Sequence, residues 1–134
     1  MEYFNSFGGN PVSCEIGQAV LDIIEEEKLQ ENASSTGNHL LDGLKDIQNK
    51  HNIIGDVRGR GLFIGIELIK DMDKMIPATN EAEIVVNAMQ KKGILISSDG
   101  PDNNVLKIKP PLVFNKKNAN YFLESFEAVI SKYF

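Results

Sequence analysis

Near Ile53 the spacing of apolar residues changes from a helical period to an alternating one, which excludes an all-helical bundle and an all-β sandwich alike. Before it, Val12, Ile16, Ala19, Val20, Ile23 and Ile24 recur at steps of three, four and one, predicting a helix over about Pro11 to Lys28. Asn10 ahead of Pro11 supplies an N-cap with proline at the first helical position. A second helix carries Ala33, Leu40, Leu41, Leu44 and Ile47 in phase, weakened by Gly37 and Gly43. After the change, Ile64, Ile66 and Leu68 alternate with Phe63, Gly65 and Glu67 as in a strand, and Gly55, Gly59 and Gly61 predict turns or close backbone approaches. Asp71 to Ala78 reads as a loop. Ala82, Val85, Val86 and Met89 then predict a helix capped by Thr79 or Asn80 and stopped at Gly93.

Ile94 to Ile96 predicts a short strand, turned through Ser98-Asp99-Gly100-Pro101 and Asp102-Asn103-Asn104 into a partner over Val105 to Lys109. Pro110-Pro111 ends that partner, because proline has no N–H for the ladder. The last helix has an Asn115 cap and a stripe of Ala119, Phe122, Leu123, Phe126, Val129 and Ile130. This order predicts an α+β domain: a mainly antiparallel sheet of about three strands with helices packed on one face. A length of 134 residues fits one domain with its own core.

Charge narrows the partners. Lys and Arg number 14 against 19 Asp and Glu, a net −5, which argues against nucleic acid or an anionic membrane, since both require a basic face. No apolar run approaches the roughly 18 residues of a spanning helix. The lone Cys14 excludes an internal disulfide and fits an intracellular, reducing setting.

Most chemical motifs fail on spacing. His39 and His51 lack ligand spacing, so no metal site is expected. Gly59-Arg60-Gly61 has its third glycine, Gly65, one place too late for a dinucleotide loop, and it opens a strand instead of a helix. Cys14 has no histidine placed beside it and reads as a small buried residue. Asn32-Ala33-Ser34 matches a glycosylation sequon by chance. Two segments carry more. Phe4-Asn5-Ser6-Phe7-Gly8-Gly9-Asn10-Pro11 sets a hydroxyl and two glycines at a helix N-terminus, which suits a phosphate, although an ordinary Asn-capped lead-in is the commoner meaning. In Val105-Leu106-Lys107-Ile108-Lys109, the two lysines share one strand face. They form either an anion contact or a solvated edge, and the pattern alone favours the second.

Together with Ile54-Gly55-Asp56-Val57-Arg58-Gly59-Arg60-Gly61-Leu62-Phe63-Ile64-Gly65-Ile66-Glu67, these segments resemble the class III (omega) aminotransferases, pyridoxal-phosphate enzymes of fold type I. The resemblance spans essentially the whole chain and corresponds to the C-terminal portion of those enzymes. Within the family, Leu95 to Pro101 followed by Val105 to Pro111 is most similar to the ethanolamine-phosphate phospho-lyases and the alanine–glyoxylate aminotransferase 2-like group.

The resemblance implies residues 1–10 as a loop from the large domain or interface, and 11–134 as the small C-terminal domain. It implies pyridoxal 5'-phosphate as cofactor and a homodimer or higher oligomer. The Ser6 hydroxyl, a threonine in most relatives, would bind the cofactor phosphate of the neighbouring subunit, with Gly8, Gly9 and Asn10 shaping the loop. At Lys107, ornithine-type members carry an arginine that clamps the substrate α-carboxylate; a lysine lacks that planar fork, which favours a phosphorylated amine as substrate. The family's cofactor-bonding lysine lies upstream of Gly8-Gly9-Asn10-Pro11, so the resemblance implies a truncated form with no catalytic residue of its own and a cytoplasmic or mitochondrial location. The expected parent reaction is elimination of phosphate from ethanolamine phosphate, with phosphohydroxylysine left open as the substrate. An ω-aminotransferase of alanine–glyoxylate type and a non-catalytic α+β interaction module are the alternatives.

Overall fold

The computed structural model of the chain describes residues 4–134, so positions 1–3 of the expected interface loop lie outside the described residues. The elements run α1 (Pro11–Glu26), α2 (Leu29–Gln48), β1 (Ile54–Arg60), β2 (Phe63–Asp71), β3 (Ile76–Pro77), α3 (Thr79–Lys91), β4 (Ser97–Asp99), β5 (Val105–Ile108) and α4 (Lys116–Tyr133). The strands form one antiparallel sheet in the order β1-β2-β5-β4, with β3 added beside the end of β2. The α+β class and the antiparallel sheet are as expected. The strand count is corrected from about three to five.

Each extra or displaced strand has a local cause. Gly55 and Gly59 lie within β1, where neighbours crowd the backbone: a Cβ on Gly59 would stand 2.4 Å from the Phe63 carbonyl oxygen. Glycine there marks close approach within the sheet, and the turn falls only at Gly61. β3 is a two-residue edge pairing Ile69 and Asp71, short enough to tolerate Pro77. The strand expected at Ile94–Ile96 begins three residues later because the stop of α3 uses Gly93 and Ile94. The Gly93 N–H donates to the Gln90 carbonyl at 2.9 Å and the Ile94 N–H to the Met89 carbonyl at 3.0 Å, with Gly93 at φ +78°. That left-handed stop satisfies the last helical carbonyls and carries Leu95 into solvent, 82% exposed.

Caps explain the helix starts. The Asn10 side chain accepts from the Ser13 N–H at 3.0 Å, and Asn115 forms a reciprocal capping box with Asn118. The expected Thr79 or Asn80 cap is absent: the Thr79 hydroxyl donates instead to the Asp102 carbonyl at 2.6 Å, tying α3 to the β4–β5 turn.

Ile54, Val57, Ile64, Ile66, Leu68, Leu106 and Ile108 share one face of the sheet and are buried in the core. That core is completed by Leu40, Leu44 and Ile47 of α2, Val85 and Met89 of α3, and Phe122, Phe126 and Ile130 of α4. Burial of this continuous apolar layer supplies the main drive to fold. Asn104 seams the sheet: its side chain donates to the Leu68 carbonyl at 2.8 Å, while its own carbonyl accepts from the Leu68 N–H at 2.9 Å. α1 differs from the other helices. Its stripe forms as predicted, yet no residue of it is buried: Val12, Ile16, Val20 and Ile23 remain 48–70% exposed, and α1 packs on no element but α2 among the described residues.

Candidate active-site cleft

Register builds the site. Arg58 of β1 pairs with Gly65 of β2, Gly65 with Lys107 of β5, and Lys107 with Ser97 of β4. The neighbouring row runs Asp56, Glu67, Val105, Asp99. Because alternate residues share a face, both rows lie on the side opposite the core. Arg58 and Lys107 therefore flank Gly65 in line, about 10 Å apart at the backbone, two strand spacings. With no side chain on Gly65, an open cleft of about 540 Å³ remains, lined by Arg58, Phe63, Gly65, Asp99, Val105 and Lys107. A second hollow of about 330 Å³ lies against Leu95, Ile96, Ser97, Lys107 and Lys109, so Lys107 borders both.

The cations are held by carboxylates. Arg58 Nη1 donates to Asp56 Oδ2 at 2.6 Å and to Glu67 Oε2 at 2.7 Å, which raises its already high pKa and keeps it charged. Lys107 Nζ donates to Asp99 Oδ2 at 2.5 Å, and the Gly100 N–H donates to Asp99 Oδ1 at 2.9 Å. The Lys107 hydrogen bond, then that of Gly100, pulls the Asp99 pKa below the ordinary aspartate value. These pairs are too exposed to matter much for stability; what they fix is orientation.

The Asp99 pairing gives a pH prediction. A depressed folded-state pKa contributes stability that is present above the ordinary aspartate value and lost as pH falls through the lower, folded value. A carboxyl ¹³C titration of Asp99 is expected to show a midpoint below that of a free aspartate, returning toward it in Lys107→Ala. Equal midpoints in the two chains would show that the pair does not form in solution.

The Ser6, Gly8 and Gly9 loop stands apart. It opens α1, which contacts no strand, and it lines neither hollow. The Phe7 N–H donates to Asn5 Oδ1 at 3.1 Å and the Gly8 N–H to the Asn5 carbonyl at 3.2 Å. The Ser6 hydroxyl and the Gly9 N–H have no partner among the described residues, and a Cβ on Gly9 would meet nothing within 4 Å. A hydroxyl and an amide without partners near a helix N-terminus have the donor chemistry that a phosphate group takes.

Other sequence candidates fall elsewhere. Cys14 is exposed on α1, which corrects its reading as a buried residue. His39 Nε2 meets Asn120 Oδ1 at 2.6 Å and His51 Nε2 meets the Ser131 hydroxyl at 3.4 Å, both at the surface. Asn32 has a structural duty: its amide donates to the carbonyls of Leu112 at 2.8 Å and Phe114 at 2.9 Å, holding the segment after β5 against α2. Sequence reasoning gave Arg58 no role and placed Asp99 in a turn. A signal for Arg58 existed in the alternation Asp56, Arg58, Arg60, hidden by the glycines beside it.

An antiparallel sheet with helices behind it is the C-terminal domain architecture of pyridoxal-phosphate enzymes of fold type I, which the structural matches share. The class-III aminotransferase model matches residues 2–130, and the chain belongs to that family. It is 49% identical over 130 residues to an alanine–glyoxylate aminotransferase 2-like protein of Drosophila melanogaster, covering 96% of this chain and 26% of that one. The chain thus spans about a quarter of the length of the curated relatives it matches. A phospholyase from Arthrobacter in complex with phosphoethanolamine superposes with a TM-score of 0.90 at 40% identity, over 96% of this chain and 31% of that one. An amine transaminase from an uncultivated Pseudomonas species, in its PLP-bound form, superposes with a TM-score of 0.84 at 28% identity, over 98% and 30%. Pyridoxal phosphate is the cofactor of the family.

Proposed function

We propose that the chain is the C-terminal portion of a phospho-lyase that, with water, converts ethanolamine phosphate to acetaldehyde, ammonia and phosphate. Residues 11–134 are its small C-terminal domain and residues 1–10 its interface loop. One observation carries the reading: a lysine, Lys107, stands in the centre of the open sheet face at the edge of a cleft floored by Gly65. A compact ammonium suits a tetrahedral phosphate, whereas the planar carboxylate of an α-amino acid is better held by a forked guanidinium. The likeness to a phospholyase holding phosphoethanolamine supports the same substrate class.

The chain's own residues then have distinct duties. Lys107 orients the substrate phosphate and stabilises the charge that grows on it as its bond to carbon breaks. Phe63, 59% exposed at the cleft edge, keeps bulk water from one side. Ser6 Oγ and the Gly9 N–H hold an edge of the cofactor phosphate in the neighbouring subunit of a homodimer. The uncovered stripe Val12, Ile16 and Val20 packs against the rest of the polypeptide. The bound cofactor supplies an electron sink at the carbon bearing nitrogen, which makes loss of that carbon's proton accessible. A single cysteine suits an intracellular setting, cytoplasmic or mitochondrial.

The 134-residue chain mixed with pyridoxal phosphate and ethanolamine phosphate is expected to release no phosphate above background, because none of its lysines matches the family's cofactor-bonding one. A polypeptide joining this chain to the lysine-bearing region is expected to release phosphate and acetaldehyde together, and Lys107→Ala to slow that release about 10²-fold. Turnover by the short chain would overturn the assignment. The Drosophila relative favours a second reading, an ω-aminotransferase. Pyruvate-dependent amino transfer without phosphate release by the longer polypeptide would put it first.

A further inference from the structure

A cleft for an anion is simplest when its cation waits unoccupied, and Lys107 does not. Its ammonium is hydrogen-bonded to Asp99 Oδ2 at 2.5 Å, and the other carboxylate oxygen is fixed by the Gly100 N–H at 2.9 Å. The pairing is diagonal across β4 and β5, since Asp99 registers with Val105 and Lys107 with Ser97. Any anionic ligand of Lys107 must therefore displace this resident counterion or share the ammonium with it. Arg58 offers no easier route, being held by both Asp56 and Glu67. Lys109 differs: it makes no direct ion pair among the described residues, acting on Asp99 only through its charge at longer range, and with Lys107 it lines the smaller hollow.

From this arrangement we infer that Asp99 is a positioning residue that guards Lys107: as its resident counterion it sets a threshold that keeps weakly bound monoanions out of the cleft and that a dianionic phosphate ester passes. The inference rests on Lys107 being the cation that receives the substrate. A ligand carboxylate that replaced Asp99 would exchange one carboxylate for another. The incumbent wins that exchange, because it is tethered at a high effective concentration and already oriented. A phosphate dianion brings a second charge, worth about fivefold in affinity at an exposed contact distance. It also brings a further oxygen that reaches Lys109 while Lys107 turns away from Asp99. The competitor built into the sheet thus sets the threshold for entry, and the doubly charged anion passes it first.

The test is an NMR titration of the 134-residue chain at pH 8 and constant ionic strength, with inorganic phosphate and with acetate. The reporters are the Gly100 amide and the Lys107 side-chain resonances. Phosphate is expected to shift both, and acetate at equal concentration neither. Asp99→Asn keeps an oxygen for the Gly100 N–H but removes the charge. It is expected to raise the affinity for both anions by about fivefold or more, so that acetate shifts the Lys107 resonances at a concentration that leaves the parent chain unchanged. Unchanged affinity for both anions in Asp99→Asn, or no phosphate binding by either chain, overturns the inference. Lys107→Ala separates the two levels. Undiminished phosphate binding there refutes Lys107 as the receiving cation, and the functional reading with it. Lost binding there, with unaltered affinities in Asp99→Asn, refutes the role of Asp99 alone.

Discussion

Replacing Gly37 with alanine is expected to destabilise the chain by about 3 kcal/mol, the upper end for overpacking in a well-filled interior. Gly37 lies in the middle of α2, where the helix crosses the β1–β2 turn. A Cβ there would stand 2.1 Å from the Gly61 carbonyl oxygen, 2.4 Å from its carbon and 2.8 Å from its Cα. All three atoms are backbone, so no rotamer change relieves the overlap. The turn cannot yield cheaply either, since Gly61 sits at φ +56° and the strands on both sides are paired. The helix must move away from the hairpin, opening the contact of Leu40 and Leu44 with the sheet. Against the usual margin of roughly 5–15 kcal/mol this is a large fraction. Because β2 leaves that turn to reach Gly65, the cleft floor should shift as well. Gly17→Ala is the control: it lies on exposed α1 with nothing within 4 Å of its Cβ, and it is expected to stabilise the helix slightly. Coincident urea midpoints for Gly37→Ala and the parent would show that α2 does not press on the turn.

Truncating Phe126 to alanine is expected to cost about 3–5 kcal/mol. Its ring is fully buried, stacked on Phe122 with centroids 5.9 Å apart, between α4 and the core face of the sheet. Removing it leaves a cavity that stiff strands on one side and a capped helix on the other cannot fill. The cleft should respond differently. Arg58, Gly65 and Lys107 lie on the opposite face, so the Gly100 amide and Lys107 resonances should keep their parent positions until global unfolding begins. A loss under about 1 kcal/mol would mean that the helical layer repacks freely. Early displacement of the cleft resonances would mean that the two sheet faces are coupled.

Local chemistry determined much of this protein in advance. Asn10 with Pro11, Asn115 with its following turn, the helical stripes, and the alternation through Ile64, Ile66 and Leu68 act over a few residues, so they read directly from the order of side chains. The same locality explains the misplacements. A glycine crowded inside a strand looks like a glycine in a turn until its neighbour is known, and β1 was hidden for that reason. Periodicity likewise shows that α1 has an apolar side, and it is silent on what covers that side.

The cleft belongs to the tertiary structure. Lys107 could be picked out by its spacing from Lys109, but its alignment with Arg58 across Gly65 depends on the register between the β1–β2 hairpin and β5, about 40 residues further along the chain. Its capture by Asp99 depends on the diagonal between β4 and β5. A slip of one residue in any pairing would send those side chains into the core, and what prevents it is the burial of Ile64, Ile66, Leu106 and Ile108 on the other face. The side chains that meet a ligand are thus placed by the packing of residues that never touch it.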